Sequence, residues 1–339
     1  MNQPIKVLID QSRLITGHKA RGSGTYINNL INSLSKNDAV KLVNNYSSGP
    51  SIVHFPYFDP FFLTLPNKNI LPTVITVHDL IPIDYPKIFP KGIKGWLKWQ
   101  VQKKKLQHAD AIITDSIYSK RRISDLAGIK NEKIYVIPLA ADPQFRQLES
   151  KILNNVREKY LLPQKFILYV GDVNPNKNLK RLVQASEKFK LKLYLAGRAF
   201  GSDSIEVLEI KKLLEKNKNC SVIGEITSSE DLVAIYNLAY LTVVPSWEEG
   251  FGFPVLESMA CGTPVALSNS SCLPEVGKDA AKYFDPFSID NIIKVVNEIC
   301  VLNKKEYLEL KNRSLSNNKE FTWSKTAQLT IDVYTQLKV

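Results

Sequence analysis

Short apolar runs alternate with helix-period segments along nearly the whole chain, and that alternation constrains the fold more than any other feature. Ile5–Asp10, Ser51–Phe55, Thr73–Val77, Ala111–Asp115 and Ile134–Leu139 are dominated by apolar residues at consecutive positions. A strand with apolar residues on both sides must be covered on both faces, which a parallel sheet flanked by helices provides. Between these runs Tyr26, Ile27, Leu30, Ile31 and Leu34 share one helical side, and Lys91–His108 and Tyr118–Ala127 also read as helices. The polar, non-periodic Ala140–Gln147 reads as a linker. A second series follows, with strands at Phe166–Val170, Leu191–Ala196, Ser221–Ile223, Leu241–Val244 and Pro264–Leu267. Its helices are Asn178–Phe189, Ser204–Asn217 and Ser229–Ala239. Phe321–Leu337 closes the chain as a helix with Trp323, Ala327, Ile331 and Tyr334 near one face. Two such series in 339 residues predict two doubly wound α/β domains. Such sheets bind ligands at their C-terminal strand ends, here expected around one cleft.

An apolar content of 44% with 23% charged residues fits a water-soluble, globular chain. The net charge of +12 admits nucleic acid, an anionic membrane or an anionic small molecule as partner. No nucleic-acid-binding motif accompanies the charge, so nucleic acid is not expected. Cys220, Cys261, Cys272 and Cys300 form no C-x-x-C pair and read as packing residues of a reducing compartment. No histidine stands in metal-ligand spacing with a cysteine, and no metal is expected. The chain enters a strand at once, and no window approaches about 18 uninterrupted apolar residues. These features predict a cytoplasmic protein without a signal peptide or spanning helix, peripheral on the inner face of the plasma membrane if it meets a membrane. Lys87–Lys105 holds seven lysines and no acidic residue. Trp96 and Trp99 stand among them with Ile93, Leu97 and Val101. Lysines flanking tryptophans on a helix suit an anionic membrane surface; the alternative is a packed helix with solvated lysines.

The chemistry concentrates at Pro245–Pro264. Gly250 and Gly252 permit a tight loop after the Leu241–Val244 strand. Pro254 suits the first turn of a helix and Gly262 its end. Glu249 lies in the loop and Glu257 one turn into the helix. A helix N-terminus with unpaired N–H groups suits a phosphate, and carboxylates suit hydroxyls. Together they suggest a nucleotide-sugar site. Lys177 follows the Gly171 loop and opens a helix, so its cation and free N–H groups would face one anion. His78 directly follows the Val74–Val77 run, where an open sheet places ligand loops. Each has a plainer alternative: a dipole-favoured first-turn glutamate at Glu257, a solvated Glu249, a surface Lys177, a packed His78. His18 in the first glycine loop is a weaker candidate for contact with acceptor or phosphate, and Asp79 for acceptor binding or orienting His78. His54 reads as structural and His108 as a surface residue.

The ordered motifs of the second half resemble the retaining glycosyltransferases of family 4, with the two-domain GT-B fold. The resemblance rests on Tyr169-Val-Gly-Asp-Val-Asn-Pro-Asn-Lys-Asn178, on Leu195-Ala-Gly197 and on Gly224. It continues in Glu249-Gly-Phe-Gly-Phe-Pro-Val-Leu-Glu257 (an E-x7-E motif), Ser271-Cys-Leu-Pro-Glu-Val276 and Ala281-Lys-Tyr-Phe-Asp-Pro286. Gly22-Ser-Gly-Thr-Tyr26 and Val77-His-Asp-Leu-Ile-Pro82 extend it more loosely into the first half. It implies an N-terminal acceptor-side domain over residues 1–147, a nucleotide-sugar domain over 148–318, and a final helix, 319–339, packing on the first domain.

What the resemblance implies for the site is specific. Glu249 would bind hydroxyls of the donor sugar and Glu257 those of the ribose. Lys177 would pair with the diphosphate. His78 would face the transferred sugar. Gly22 and Gly24 would let a loop approach the phosphates, and Gly250, Phe251, Gly252 and Phe253 would complete the donor loop. Many members carry an arginine where this chain has Asp172. Neutralisation would then rest on Lys177 and backbone N–H groups, with Arg181 and Arg198 as further candidate cations. The implied activity is transfer of a hexose, with retained configuration, to a hydroxyl of a glycan or polyprenyl-diphosphate-linked acceptor in surface polysaccharide synthesis. Mannose from GDP-mannose is the donor favoured by likeness to mannosyltransferase-type members, and no cofactor is implied. The alternatives are a nucleotide-sugar epimerase on the same fold and a non-catalytic partner subunit.

Overall fold

A computed structural model describes residues 3–12, 22–66, 70–201 and 204–337. The chain divides into two compact units, Met1–Ala140 with Phe321–Val339, and Ala141–Glu320.

Unit 1 is built on β1 (Ile5–Ile9), β2 (Val40–Val43), β3 (Ile52–Phe55), β4 (Thr73–Thr76), β5 (Ala111–Thr114) and β6 (Ile134–Val136). Its helices are α1 (Gly22–Leu34), α2 (Ile81–Asp84), α3 (Gly92–Gln107), α4 (Ile117–Ala127) and, from the end of the chain, α13 (Trp323–Leu337). The strands form one parallel sheet in the order β2-β1-β3-β4-β5-β6. Its direction of winding reverses beside β1, and the crevice at such a reversal is the natural ligand site of an open α/β sheet. The sequence reading lacked β2, an edge strand whose four residues, Val-Lys-Leu-Val, are too short to carry a period. α1 begins at Gly22, four residues before the expected start at Tyr26. Burial of Gly24, Tyr26, Ile27, Leu30 and Leu34 on the core outweighs the helix penalty of two glycines. Gly22 and Gly24 therefore form the first turn of a helix, not part of a loop.

Helix α3 corrects the reading of the lysine-rich segment. Trp99 is buried with Leu106 among Val53, Phe55, Ile75 and Val77. Ile93, Trp96, Leu97 and Val101 are exposed. At spacings of three and four they make one ridge. Lys103 and Lys105 do not extend freely: their Nζ atoms donate to the carbonyls of Leu126 (2.9 Å) and Leu65 (2.7 Å). Among the described residues no helix is long and apolar enough to cross a membrane.

Helix α13 is tied into unit 1 by polar contacts. His54 on β3 is buried, with Nδ1 2.6 Å from the Tyr334 hydroxyl and Nε2 2.8 Å from Thr76 Oγ1. Tyr26 on α1 shares that Thr76 hydroxyl at 3.0 Å. Burial, and secondarily the nearby His78, push the His54 imidazole down to about 3, so it is a neutral bridge. Thr326 donates to the Pro138 carbonyl at 2.7 Å.

Unit 2 follows the order α5 (Ser150–Lys159), β7 (Ile167–Val170), α6 (Leu179–Ser186), β8 (Leu193–Ala196), α7 (Ile205–Lys216), β9 (Cys220–Gly224) and α8 (Ser229–Leu238). It continues with β10 (Leu241–Val244), α9 (Phe253–Ala260), β11 (Val265–Ser268), α10 (Leu273–Gly277), β12 (Lys282–Phe284), α11 (Ile289–Cys300) and α12 (Lys304–Asn318). All neighbours are parallel, in the order β12-β11-β10-β7-β8-β9. This is the strand order of a dinucleotide-binding sheet, and its reversal falls between β7 and β10. The loops after those strands are the Gly171 loop and the Pro245–Gly252 loop. Gly197 shows how tightly the strand ends are pressed: a Cβ there would sit 2.0 Å from the carbonyl oxygen of Gly171.

Candidate functional site

In unit 2 the loops after β7 and β10 are laced together mainly by side-chain N–H groups that donate to backbone carbonyls. Asn176 Nδ2 donates to the Glu248 carbonyl at 2.9 Å, and the Trp247 N–H to the Asn176 carbonyl at 3.0 Å. Trp247 Nε1 reaches the Pro175 carbonyl at 2.9 Å. Asn178, in the left-handed region at φ 56°, donates from Nδ2 to the carbonyls of Pro245 (3.0 Å) and Pro286 (2.6 Å). These bonds fix the backbone on which Lys177 and Glu249 stand. Lys177 Nζ lies 2.6 Å from Glu249 Oε1 and 2.8 Å from Oε2. Ser246 donates to the same Oε1 at 2.7 Å. The Glu249 N–H donates to Ser271 Oγ at 3.1 Å, and the Cys272 thiol lies 3.2 Å from its carbonyl oxygen. Glu249 is 8% exposed, so a lysine, a carboxylate and a hydroxyl share one nearly dry spot at the reversal of the sheet. Charge-assisted bonds are strong in such a place.

Gly252, at φ 93°, turns the loop into α9 in a conformation that a side chain disfavours. Pro254 stands in the first turn of α9, where its missing N–H costs nothing. Gly250 and Phe251 are buried, and Phe251 and Phe253 meet edge to face at 5.9 Å. Glu257 accepts the Tyr236 hydroxyl at 2.8 Å. Burial pushes its carboxyl up to about 7, with Asp142 adding to the rise and the Tyr236 bond opposing it.

The other cations lie in different contacts. Arg181 NH1 donates to Asn178 Oδ1 at 3.0 Å and stacks over Phe287, and Arg198 Nε stands 3.8 Å from Glu225. The Asp172 carbonyl accepts the Tyr169 hydroxyl at 2.9 Å. Cys220, Cys261 and Cys272 are buried thiols and Cys300 is half-buried. Burial raises Cys220 to about 12 and Cys300 to about 11, which makes both poor nucleophiles.

In unit 1, His78 follows β4 and Asp115 follows β5, the neighbouring strand. Their side chains meet, with His78 Nδ1 2.7 Å from Asp115 Oδ2. The imidazole is 19% exposed and the carboxylate 2%. Tyr26 packs edge-on to the imidazole, centroid to centroid 4.9 Å. Burial disfavours the charged imidazole, but Asp115, by charge and hydrogen bond, with Asp79 adding, leaves it above its ordinary value. Burial raises Asp115 as well, partly offset by His78. Asp79 accepts the Ile81 N–H at 3.0 Å. Sequence reasoning did not single out Asp115; its signal there is a carboxylate at the end of an apolar strand, in the place His78 takes on the neighbouring one. A cavity of about 680 Å³ lies by the reversal of this sheet, lined by Leu8, Asp10, Asn44, Tyr46 and Phe55 among others. His18 lies outside the described residues.

Comparison with known proteins agrees with this fold. The family described as "Glycosyl transferases group 1" matches residues 154–324, and "Glycosyltransferase Family 4" matches residues 16–145. The serotype-specific mannosyltransferase WbdA of Escherichia coli is 29% identical over 303 residues, 85% of this chain but only 37% of WbdA. The O-antigen chain mannosyltransferase B of Escherichia coli is 30% identical over 271 residues, 77% of this chain and 69% of that protein. Among solved structures, sucrose-phosphate synthase from Thermosynechococcus elongatus superposes with a TM-score of 0.75 at 18% identity, covering 99% of both chains, which supports the GT-B fold. Two sheets with their strand order, the linked loops at a reversal point and the family match over half the chain lead to one conclusion: the chain belongs to the group 1 glycosyl transferases.

Proposed function

We propose that this chain transfers a hexose, mannose from GDP-mannose, to a hydroxyl of a glycan or polyprenyl-diphosphate-linked acceptor in surface polysaccharide synthesis. The mannosyltransferase names of its relatives support the sugar. The observation that carries the donor site is the Lys177–Glu249 contact at the reversal of the second sheet. A diphosphate reaching Lys177 competes with Glu249 for the ammonium and frees the carboxylate to accept sugar hydroxyls. Glu257 and Tyr236 stand ready for the ribose. As the bond to the diphosphate breaks, negative charge grows on the departing oxygen and Lys177 stabilises it, so its contribution is greatest in the transition state. Glu249 is not assigned as a nucleophile. The departing phosphate accepts the proton of the acceptor hydroxyl, and the new bond forms on the face the diphosphate leaves. The scheme requires no cofactor. The cavity in unit 1 is the proposed seat of the acceptor.

The test is a thermal-shift screen of nucleotide sugars followed by transfer assays. GDP-mannose is expected to raise the melting temperature most, because selective binding stabilises the native state. Lys177→Ala is expected to slow turnover by about 10²–10³-fold, the usual cost of one transition-state donor. Full activity in that variant overturns the phosphate assignment. Epimerised donor formed without acceptor favours an isomerase, and failure to bind any nucleotide favours a non-catalytic subunit.

A further inference from the structure

His78 has one ring nitrogen spoken for and one not. Nδ1 is held by Asp115, itself buried behind the sheet end. Nε2 is sealed from solvent and makes no hydrogen bond among the described residues. The ring cannot swing freely, since Tyr26 lies edge-on against it and is in turn bonded to Thr76. A buried ring nitrogen without a partner is costly, and such a group in a native structure calls for an explanation. Here Asp115 supplies what an isolated histidine lacks, a fixed tautomer and a fixed ring plane.

We propose that Asp115 is a positioning residue: it accepts the Nδ1–H of His78, locks the neutral tautomer and holds the Nε2 lone pair ready to accept a hydrogen bond from a sugar hydroxyl of the bound substrates. The proposal rests on the reading of His78 as a substrate-facing residue. No covalent step is involved; the proton stays on Nδ1 and the hydroxyl keeps its own. Only the neutral ring can accept at Nε2, so protonation of His78 switches the contact off. Asp115 and Asp79 favour that protonation, the neighbouring His54 opposes it only if charged, and the Tyr26 phenol stays neutral because burial raises it. Activity is therefore expected to rise with pH through the ionisation of His78.

Histidine-selective ¹⁵N NMR on the full chain reads the pair directly. The wild type is expected to show His78 protonated on Nδ1, titrating above an ordinary imidazole. Asp115→Asn keeps an acceptor for Nδ1–H but removes the charge, so the midpoint falls by about one pH unit or more, and the acid limb of the rate profile moves down with it. Asp115→Ala is expected to lower turnover by about 10- to 100-fold, the value of a hydrogen bond to a charged group, and to have no further effect in a His78→Ala background. Unchanged nucleotide-induced thermal shifts establish that the variants are folded. A midpoint and rate profile unmoved by Asp115→Asn overturns the proposal. Full activity of His78→Ala overturns the role of His78 itself, and is told apart from the first failure because Asp115→Asn, with His78 in place, then still lowers the His78 midpoint.

Discussion

Glu257 is half-buried, and desolvation of its carboxyl, opposed by the Tyr236 bond, holds it at about 7; this has a measurable sign. In the unfolded chain the group ionises near 4.5, so between about 4.5 and 7 the native state binds the extra proton. The stabilisation is complete below that window and lost as pH rises through it, by ~3 kcal/mol from linkage. Glu257→Gln, which carries no titrating proton, is expected to flatten the pH dependence of stability in that window, as read by urea unfolding. A slope unchanged in the variant assigns it to other groups. The same residue shows what was legible from sequence: Glu249 and Glu257 stand out because glycines and a proline fix their backbone setting. Asp115 does not, because its meaning depends on a partner 37 positions away that only the pairing of β4 with β5 brings near.

Helix α3 carries the membrane question, and the structure moves it from the lysine cluster to the ridge of Ile93, Trp96, Leu97 and Val101. Lys87, Lys91, Lys94, Lys98 and Lys104 are exposed around it, whereas Trp99 belongs to the core. An apolar ridge ringed by cations suits the interface of an anionic bilayer, each lysine adding about 1 kcal/mol. Replacing Ile93, Trp96, Leu97 and Val101 by serine is expected to abolish sedimentation with anionic vesicles at low salt and to leave the fold intact. Binding that survives refutes the surface. Trp99→Ala is expected instead to cost about 3–5 kcal/mol of stability. Helical period gave both tryptophans the same weight in sequence, because their burial depends on where β3 and β4 lie. The strands of unit 2 hold a second element-scale constraint. Gly197→Ala drives a methyl into the Gly171 carbonyl and is expected to cost about 1–3 kcal/mol and to weaken nucleotide binding by displacing the Lys177 loop. A crystal structure of the variant with that loop unmoved refutes the argument.

At the scale of the whole molecule, the alternation of apolar runs and helices was enough to read two parallel α/β units. Reading failed at short edge strands such as β2 and at the terminal helices α11 and α12. The division makes unit 1 discontinuous in sequence: α13, from the far end of the chain, packs into it. Tyr334 satisfies the buried His54, and Trp323 packs beside Tyr26 at 6.2 Å. His54 and Glu257 respond to acid in opposite senses. The unfolded chain protonates His54 more readily than the native state does, so the contribution of His54 to the stability of unit 1 is lost as pH falls from about 6.5 towards 3, the reverse of the Glu257 effect in unit 2. Removing Phe321–Val339 strips unit 1 of a whole packed face and leaves His54 Nδ1 buried without its partner. That deletion is expected to unfold unit 1. A fragment of Ala141–Glu320 keeps the complete second sheet with Lys177, Glu249 and Glu257. It is expected to unfold cooperatively on its own and to gain about 2.7 kcal/mol from a nucleotide sugar at 100 times its Kd. Calorimetry of the deleted chain and of the fragment, with and without GDP-mannose, decides the matter. A deletion that leaves the full melting profile in place, or a fragment that neither folds nor responds to nucleotide, overturns this division of labour.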